Sequence, residues 1–465
     1  MSYNLEIVVA WAKRKFVYAS EIYGGLANAW DYPYGALLRK NILDIWIKEF
    51  VKKRQDMLLL DSVILMNSKT WQASHLSNFS DPLIDDKNTG ERFRVDKLIE
   101  QKIEVFRKSS KDNKILSNLK EEFVENLIPE SWSFEQMKKF IDKYIQNNPN
   151  TKKADWTDVR KFNLMFKTFQ VMEDNTATIY LRPETAQGIF VNFKNILDTM
   201  RVKIPFGIAQ VGKSFRNEIT PNFLYRVREF EQMEIEYFVE PKDEQFFEDW
   251  KKDAWNFWVD KIIKKENLRF RNHEKDELSH YSTTTDIEYE FPWGWELQGI
   301  AKRTDYDLKQ HQTFSINMQY TDPKTHRYIP YVIEPSWGLT RAVFTAMLDA
   351  YDEQTYIDPQ KEQTRVVIHF HKNISPIKFA ILPLIEKNEQ MQILANEIFD
   401  RLSPNYMCEV DKNIGKRYRR QDEITPYCIT IDFESLENNT ITIRDRDNME
   451  QIRVKIDDIE KFYNK

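Results

Sequence analysis

Arginines and carboxylates crowd into one short stretch of this 465-residue chain. Arg216-Asn217-Glu218 is followed, past a turn at Pro221 and Asn222, by Tyr225-Arg226-Val227-Arg228-Glu229-Phe230-Glu231-Gln232-Met233-Glu234. Side chains alternate between the two faces of a strand, so Arg216 and Glu218 would share one face and Arg226, Arg228 and Phe230 a face of the partner strand. Such a surface offers guanidinium forks for phosphate oxygens, a carboxylate to accept from an exocyclic amine, and a ring on which a base can stack. The same residues also suit a solvated hairpin held by cross-strand ion pairs. Two further segments carry chemistry at element ends. Glu334-Pro335-Ser336-Trp337-Gly338-Leu339-Thr340-Arg341 reads as a strand end opening into a helix, with Gly338 permitting close backbone approach and Arg341 in the first helical turn. In Leu181-Arg182-Pro183-Glu184-Thr185-Ala186-Gln187-Gly188, Pro183 fixes a kink that sets Glu184 and Gln187 at the mouth of a helix. An acidic residue there also suits the helix dipole.

The elements that must position these residues are legible in outline. Apolar residues Leu37, Leu38, Ile42, Ile45, Trp46 and Ile47 recur at helical spacing, predicting a helix after Pro33. Residues from about Asp81 to Trp156 are rich in Lys, Glu, Asn and Ser and read as a mostly helical insertion, with a capping box at Ser133 and Gln136 starting a helix that ends near Gln146. Strand-like runs at 177–181, 206–211, 230–239 and 329–333 predict an antiparallel sheet, with 213–219 and 225–238 as two long strands. Trp255, Trp258, Phe246 and Phe247 sit at helical spacing and are expected in the core. Tyr356 to Gln363 reads as a linker, after which strands at 366–370 and beyond alternate with a helix over 386–402 in α/β fashion. The chain holds only 11 glycines, about a third of ordinary usage. Nine of them (Gly24, Gly25, Gly35, Gly188, Gly207, Gly212, Gly294, Gly299 and Gly338) cluster in a few segments, within or near those that carry clustered Arg and Glu.

Composition excludes several classes. Cys408 and Cys428 are too few for a disulfide scaffold or a four-thiolate metal site. No apolar run reaches the length of about 18 residues that a membrane span needs. The run Ile7 to Ala12 precedes Lys13, Arg14 and Lys15, the reverse of a secretory leader, so the cytoplasm is expected. A formal charge of -5 requires any nucleic-acid partner to meet a local basic patch. Lys412, Lys416, Arg417, Arg419 and Arg420, with Tyr418 among them, form the best such run. No Ser-His-Asp or Cys-His nucleophile pattern is visible, and His75 reads as structural or as part of a dimer face.

Taken together and in order, these segments resemble the three signature motifs of class II aminoacyl-tRNA synthetases, and of the dimeric glycyl-tRNA synthetase family in particular. Ser20 to Tyr32 is similar to motif 1, "SFRNEITP" through "REFEQMEIEYF" to motif 2, and "YVIEPSWGLTRAV" to motif 3. "LRPETAQGIFVNF" and "LQGIAKRTDYDL" resemble the family's glycine-pocket elements, and "GKRYRRQDEI" its anticodon-domain loop. The resemblance implies an antiparallel catalytic sheet flanked by helices over residues 1–362, with the helical insertion at about 81–156, and a mixed α/β anticodon-binding domain over 363–465. It implies an ATP-dependent ligase that forms glycyl-adenylate and passes glycine to the 3′ end of tRNA-Gly, working as a homodimer with no membrane partner. Arg216 would then hold the α-phosphate, Glu218 read the adenine amino group and Phe230 stack on the base. Arg226 or Arg228, with Arg341, would hold the β- and γ-phosphates, and Glu296 is the acidic partner expected near Mg²⁺. Asn217, Tyr225, Val227, Glu229, Leu297, Gly338, Leu339 and Thr340 complete the expected ATP site. Glycine, with no side chain to grip, would be held by Glu184, Glu234, Glu334 and Ser336 with Arg94 and Arg303, and bordered by Phe230, Glu231, Gln232, Met233, Pro335, Trp337 and Gly338. Such an acidic cup should be partly protonated when empty.

Some places depart from the family pattern. Many bacterial members of the family that the chain resembles carry cysteine pairs where this chain has Asp85-Asp86-Lys87-Asn88 and Asn148-Pro149-Asn150-Thr151, so no structural zinc is expected. The motif 2 turn, Pro221 to Tyr225, is a residue short and lacks its glycine, which leaves Arg226 and Arg228 as alternatives. A synthetase for threonine, serine or proline would need a roomier pocket or a zinc ion. An inactive relative would have lost Arg216, Glu218 or Arg341, and all three are present.

Overall fold

Alternation divides each long strand into a polar track and an apolar track, and the central sheet is assembled from that division. The computed structural model describes residues 5–464 except 19–22, 27–28, 75–78, 109–115, 117–118, 120–122, 124–126, 128, 130–131, 152, 170–177, 220, 242, 244, 276–277, 279–281, 292–293, 315, 323–326, 359–360 and 412–416. His75, Lys412 and Lys416 therefore lie outside the described residues. Seven strands form the sheet: β1 (Met57–Leu60), β2 (Phe206–Phe215), β3 (Glu229–Val239), β4 (Leu268–Asn272), β5 (Thr283–Phe291), β6 (Gly294–Thr304) and β7 (Tyr331–Gly338). Their order is β4-β5-β6-β7-β3-β2-β1, antiparallel throughout except for the edge pair β1–β2.

The main helices are α1 (Leu5–Lys15), α2 (Pro33–Ile47), α3 (Ala186–Met200), α4 (Gln245–Lys261), α5 (Leu339–Ala350) and α6 (Glu389–Leu402). On one face of the sheet Met233, Ile235, Ile300, Ile333 and Trp337 pack with Trp46 of α2, Trp250 and Trp258 of α4, and most of α5. Trp337 meets Phe50 at a ring distance of 4.7 Å and Trp46 at 5.6 Å. Large apolar side chains buried this fully contribute about 1.5–3 kcal/mol each. Phe247 and Trp258 are buried here, with Phe246 and Trp255 partly so, as their spacing predicts. On the other face α3 covers one end, where Phe190 and Phe193 pack on Phe206, Ile208, Phe238 and Val332. Beyond α3 the same face opens as a cleft.

The insertion combines helices Val95–Lys108 and Phe134–Tyr144 with a three-stranded sheet of Arg92–Arg94, Ser80–Asp85 and Arg160–Asn163. Ser133 and Gln136 form the expected capping box. The strands escaped the sequence reading because they are three to six residues long and their charged side chains hide the alternation. The segments at 85–88 and 148–151 meet. Asp86 accepts from Asn148 Nδ2 at 2.9 Å and from the Asp155 amide at 3.0 Å, and Asn148 also donates to Glu91 at 2.7 Å. These donors hold the Asp86 carboxyl down to about 2.

Residues read as a linker form a hairpin instead, β8 (Tyr351–Asp358) against β9 (Lys361–Ile368). Its polar letters are cross-strand neighbours, and Arg365 is buried against Asp422 at 2.8 Å and Gln354. A mixed sheet follows, β10 (Phe379–Pro383), β11 (Cys408–Val410), β12 (Tyr427–Ile431), β13 (Thr440–Asp445) and β14 (Gln451–Lys455), in the order β11-β10-β12-β13-β14. Its first three strands are parallel and the rest antiparallel. Helix α6 packs on it through Met391, Ala395, Ile398 and Leu402, and both cysteines are buried. Side chains join this unit to the first: Trp11 Nε1 donates to Glu423 at 2.9 Å, and Tyr34 Oη to Glu409 at 2.8 Å. Among the described residues no helix is long and apolar enough to cross a membrane.

Candidate active site

The polar tracks of β2, β3, β7 and β6 lie side by side on the open part of the sheet. Gln210 pairs with Glu234, Gly212 with Gln232 and Ser214 with Phe230. Across β3, Glu234 pairs with Ser336 and Gln232 with Gly338, and Ser336 in turn with Gly299. The register thus places letters far apart in the chain on one floor. Above it is a cleft of about 530 Å³ lined by Arg94, Arg216, Glu218, Tyr225, Arg226, Val227, Phe230, Glu231, Gln232, Glu234, Glu296, Leu297, Glu334, Ser336, Gly338, Thr340 and Arg341.

One end of the cleft is basic and aromatic. The Arg216 guanidinium sits between the rings of Phe79 and Phe230, at 5.2 and 5.3 Å, and its Nε donates to the Pro183 carbonyl at 3.0 Å. Arg341 lies over the Tyr225 ring at 4.5 Å, donates to the Glu296 carbonyl at 2.8 Å and stands 3.5 Å from its carboxylate. Arg341, then Arg226 and Arg216, hold the Glu296 carboxyl below its usual range. Tyr225 Oη occupies the space beside Gly294, where a Cβ would come within 2.4 Å of it and would have to displace the tyrosine ring.

The expected long hairpin is shorter than predicted. β2 stops at Phe215 and β3 starts at Glu229. Between them Glu218 N bonds back to the Arg216 carbonyl, Asn217 N goes to the Leu164 carbonyl, and Phe223–Tyr225 forms a 3₁₀ turn. Alternation therefore does not govern the loop, and Arg226 and Arg228 part company. Arg226 lines the cleft 3.9 Å from Glu218, while Arg228 donates to the backbone carbonyls of Glu218 and Leu26. Asn217, Arg228 and Glu229 are not among the lining residues, and Glu229 pairs with Lys213. Met233, Pro335, Trp337 and Leu339 are buried away from the cleft, with Met233, Trp337 and Leu339 in the core behind the sheet.

The other end is acidic and buried. Glu234 accepts from the hydroxyls of Thr185 and Ser336, the latter at 2.9 Å. Thr185 stands at the N-cap of α3, but its hydroxyl is spent on Glu234 rather than on a helix amide. Glu334 accepts from Arg303 at 2.7 Å, and Arg303 also binds Asp307 through two contacts of 2.8 Å. Burial pushes the Glu334 carboxyl well above its ordinary range, Glu234 and Glu184 adding to it and Arg303 opposing. Glu184, half-buried, accepts from Gln187 at 3.3 Å at the cup's edge. Arg94 reaches in from the insertion, held by Asp81 at 3.1 Å and Asp96 at 2.5 Å. Arg182 crosses above Gly212, where a Cβ would lie 2.2 Å from its guanidinium.

Several residues here went unread in the sequence. Asp81 comes from the insertion's strand Ser80–Asp85 and Phe79 from the residue before it, and no local pattern joins them to Arg216. Asp286, hydrogen-bonded to His273 at 2.7 Å, borders the cleft from β5. Glu236 lies beneath Glu234, and the two-residue spacing in "MEIEYF" was the signal for it.

The basic run of the C-terminal unit is seen only from Arg417 onward. Arg417 and Arg419 donate to the carbonyls of Pro383 and Thr364, and Arg420 pairs with Asp411 at 2.8 Å. Tyr418 donates to or accepts from Thr430 at 2.6 Å, under the Arg444 guanidinium at 4.7 Å.

Comparison with known proteins agrees with this layout. Residues 169–351 match the family model described as the tRNA synthetase class II core domain (G, H, P, S and T), 81–130 the glycyl-tRNA synthetase insertion domain 1, and 378–465 the anticodon binding domain. A glycine–tRNA ligase of Clostridium kluyveri is 52% identical over 473 residues, covering 99% of this chain and 97% of the relative. One of Staphylococcus aureus is 50% identical over 476 residues, covering 99% and 98%. Among solved structures, prolyl-tRNA synthetase of Cryptosporidium parvum with L-proline and AMP shares the fold at a TM-score of 0.60 and 14% identity, over 99% of this chain and 74% of that one.

Proposed function

The chain belongs to the glycine–tRNA ligase family of class II synthetases, and from that premise we propose that it joins glycine to tRNA-Gly through a glycyl-adenylate formed in this cleft. The observation that carries the reading is the shared floor, where Arg216, Arg226 and Arg341 face phosphate-sized space beside the carboxyls of Glu234 and Glu334. A carboxylate oxygen of glycine attacks the α-phosphorus, the bond to the bridging oxygen breaks, and pyrophosphate leaves. The terminal ribose hydroxyl of tRNA then attacks the glycyl carbonyl and AMP departs. Neither step needs a protein nucleophile, so charge stabilisation and alignment account for the rate.

Arg216, fixed between two rings, meets the α-phosphate, and Phe230 carries the adenine whose amino group Glu218 accepts. Arg226 rather than Arg228 joins Arg341 on the outer phosphates, because only Arg226 borders the cleft. Glu296, kept ionised by Arg341, is the carboxyl suited to a magnesium ion that enters with ATP and supplies further neutralisation when bound. Glu234, Glu334 and Ser336 hold the glycine ammonium, Glu184 flanks it, and Arg303 and Arg94 orient the carboxyls and close the wall.

Arg417, Arg419 and Arg420, with Lys416 and Tyr418, are assigned to the anticodon side of the tRNA. Homodimer formation through the motif 1 region is supported by Tyr23, Leu26 and Trp30, which are exposed at 91%, 68% and 59%. A cytoplasmic site of action follows from the tRNA substrate. The insertion is assigned no zinc, because the segments that meet at Asp86 and Asn148 bring together no thiol or imidazole. ATP–pyrophosphate exchange across a panel of amino acids tests the whole reading. Exchange with glycine alone is expected; exchange with proline, serine or threonine in its place would overturn it.

A further inference from the structure

Glu236 follows Glu234 by two residues on β3 and shares its polar track. Its side chain is wholly enclosed (0% exposed), and neither carboxyl oxygen has a hydrogen-bond partner among the described residues. Its carboxyl and those of Glu234 and Glu334 each place an oxygen within 4.8 Å of the others, so three acids converge on one point. They are unequally supported. Glu334 has Arg303, and Glu234 has the hydroxyls of Thr185 and Ser336. Among the other elements around the cluster, β2 offers only Ile208 opposite Glu236. The helix at 306–312 brings Asp307, bound to Arg303, and His311, whose Nε2 is engaged with Gln187 at 2.7 Å. The turn before α3 adds Glu184 beside Glu334 and Arg182 near Glu234. Five carboxyls thus surround two guanidiniums in a nearly dry place, and an unpaired anion there takes up a proton. Burial, then Glu334, Glu234 and Asp307, push the Glu236 carboxyl well above its ordinary range, and Arg303 does not offset them.

We propose that Glu236 is a positioning residue of the amino-acid pocket, a neutral acid in the free enzyme that becomes the third negative charge around the substrate ammonium. The inference rests on the assignment of Glu234, Glu334 and Ser336 to glycine. As the ammonium settles, the O–H bond of Glu236 breaks, its electron pair stays on the carboxylate and the proton leaves to solvent. The ammonium keeps all three of its N–H bonds, and nothing is oxidised or reduced. The three acids therefore keep their proton when no cation is bound and exchange it for one only when glycine arrives. Glycine affinity rises with pH, by up to about tenfold per unit, between the carboxyl's value in the complex and its higher value in the free enzyme.

Calorimetry of glycine binding to the full chain, in two buffers of different ionisation enthalpy between about pH 6 and about pH 8, counts the protons released. Release approaching one proton per glycine is expected in the parent. Glu236→Gln, which copies the neutral acid in shape, should abolish the release, flatten the pH slope of the glycine KM and bind glycine about tenfold more weakly. No release in the parent, or undiminished release in Glu236→Gln, overturns the proposal. Ser336→Ala and Glu234→Gln keep the pocket assignment separate. If they weaken glycine binding while Glu236→Gln behaves as the parent, only the role of Glu236 falls. If they too bind glycine normally, the pocket assignment falls with it.

Discussion

In the half of the cleft assigned to the nucleotide the cations are arginines in a loop and at a helix start, partly open to solvent, with Arg226 at 26% and Arg341 at 20% side-chain exposure. In the half assigned to the amino acid the charged groups are chiefly carboxyls on strand centres, and Arg303, which binds Glu334, is 3% exposed. The first half handles a ligand that brings its own negative charge, so its cations can wait in water at little cost. The second half handles a small cation and must hold several anions where water is scarce. Hydroxyl donors, Arg303 and a proton on Glu236 make that possible before glycine arrives. On the proposed assignment, rate resides in groups the fold hardly needs, and selectivity in groups that the fold and the ligand share.

That contrast can be broken by substitution. Arg216→Ala should lower adenylate formation by about 10²–10³-fold with an unchanged melting temperature, as read by pyrophosphate exchange beside calorimetric unfolding; a matching loss of stability would erase the distinction. Arg303→Leu should do the opposite, taking the guanidinium away from the buried Glu334 and Asp307 carboxyls and destabilising the fold by about 3–5 kcal/mol, measured by urea denaturation. Glu184→Gln, at the cup's edge, should raise the glycine KM and lower adenylate formation, by about tenfold, and leave the ATP KM alone; unchanged exchange kinetics would remove it from the pocket. Replacing Arg417, Arg419 and Arg420 by alanine should weaken tRNA charging by about tenfold while sparing exchange, and equal loss of both would make these arginines structural. The smallest effect belongs to the insertion. Asp86→Ala should cost about 2–4 °C of melting temperature with no change in exchange. Because the Asp86 carboxyl is depressed in the folded chain, its contribution is full above the ordinary carboxylate value and fades as pH falls towards about 2.

How much of this was legible beforehand varies with the range of the interaction. Strand alternation is a period of two that holds only as long as the ladder does. It misled at Arg226 and Arg228, since the ladder ends at Phe215 and the 3₁₀ turn resets the direction of each side chain. The capping box at Ser133 is a local signal and was read correctly. The hairpin of β8 and β9 was mistaken for a linker because its buried Arg365 is satisfied by Gln354 across the strand pair and by Asp422, some 60 positions on, which no local pattern reveals. Phe79 and Asp81 were missed for the same reason. Glu236 was visible in the spacing, but what sets it apart from Glu234 is that its oxygens meet no hydrogen-bond donor among the described residues.

Ser336 and Trp337 are chain neighbours on opposite sides of β7, one bonded to Glu234 in the cleft and the other buried against Trp46 and Phe50. Point changes can therefore revise the reaction at even positions and the core at odd ones with limited interference. An inserted or deleted residue has no such freedom. Shifting β7 by one would bring Pro335 and Trp337 into the cleft and drive Glu334 and Ser336 into the tryptophan cluster, so a single lost codon would abolish chemistry and folding together.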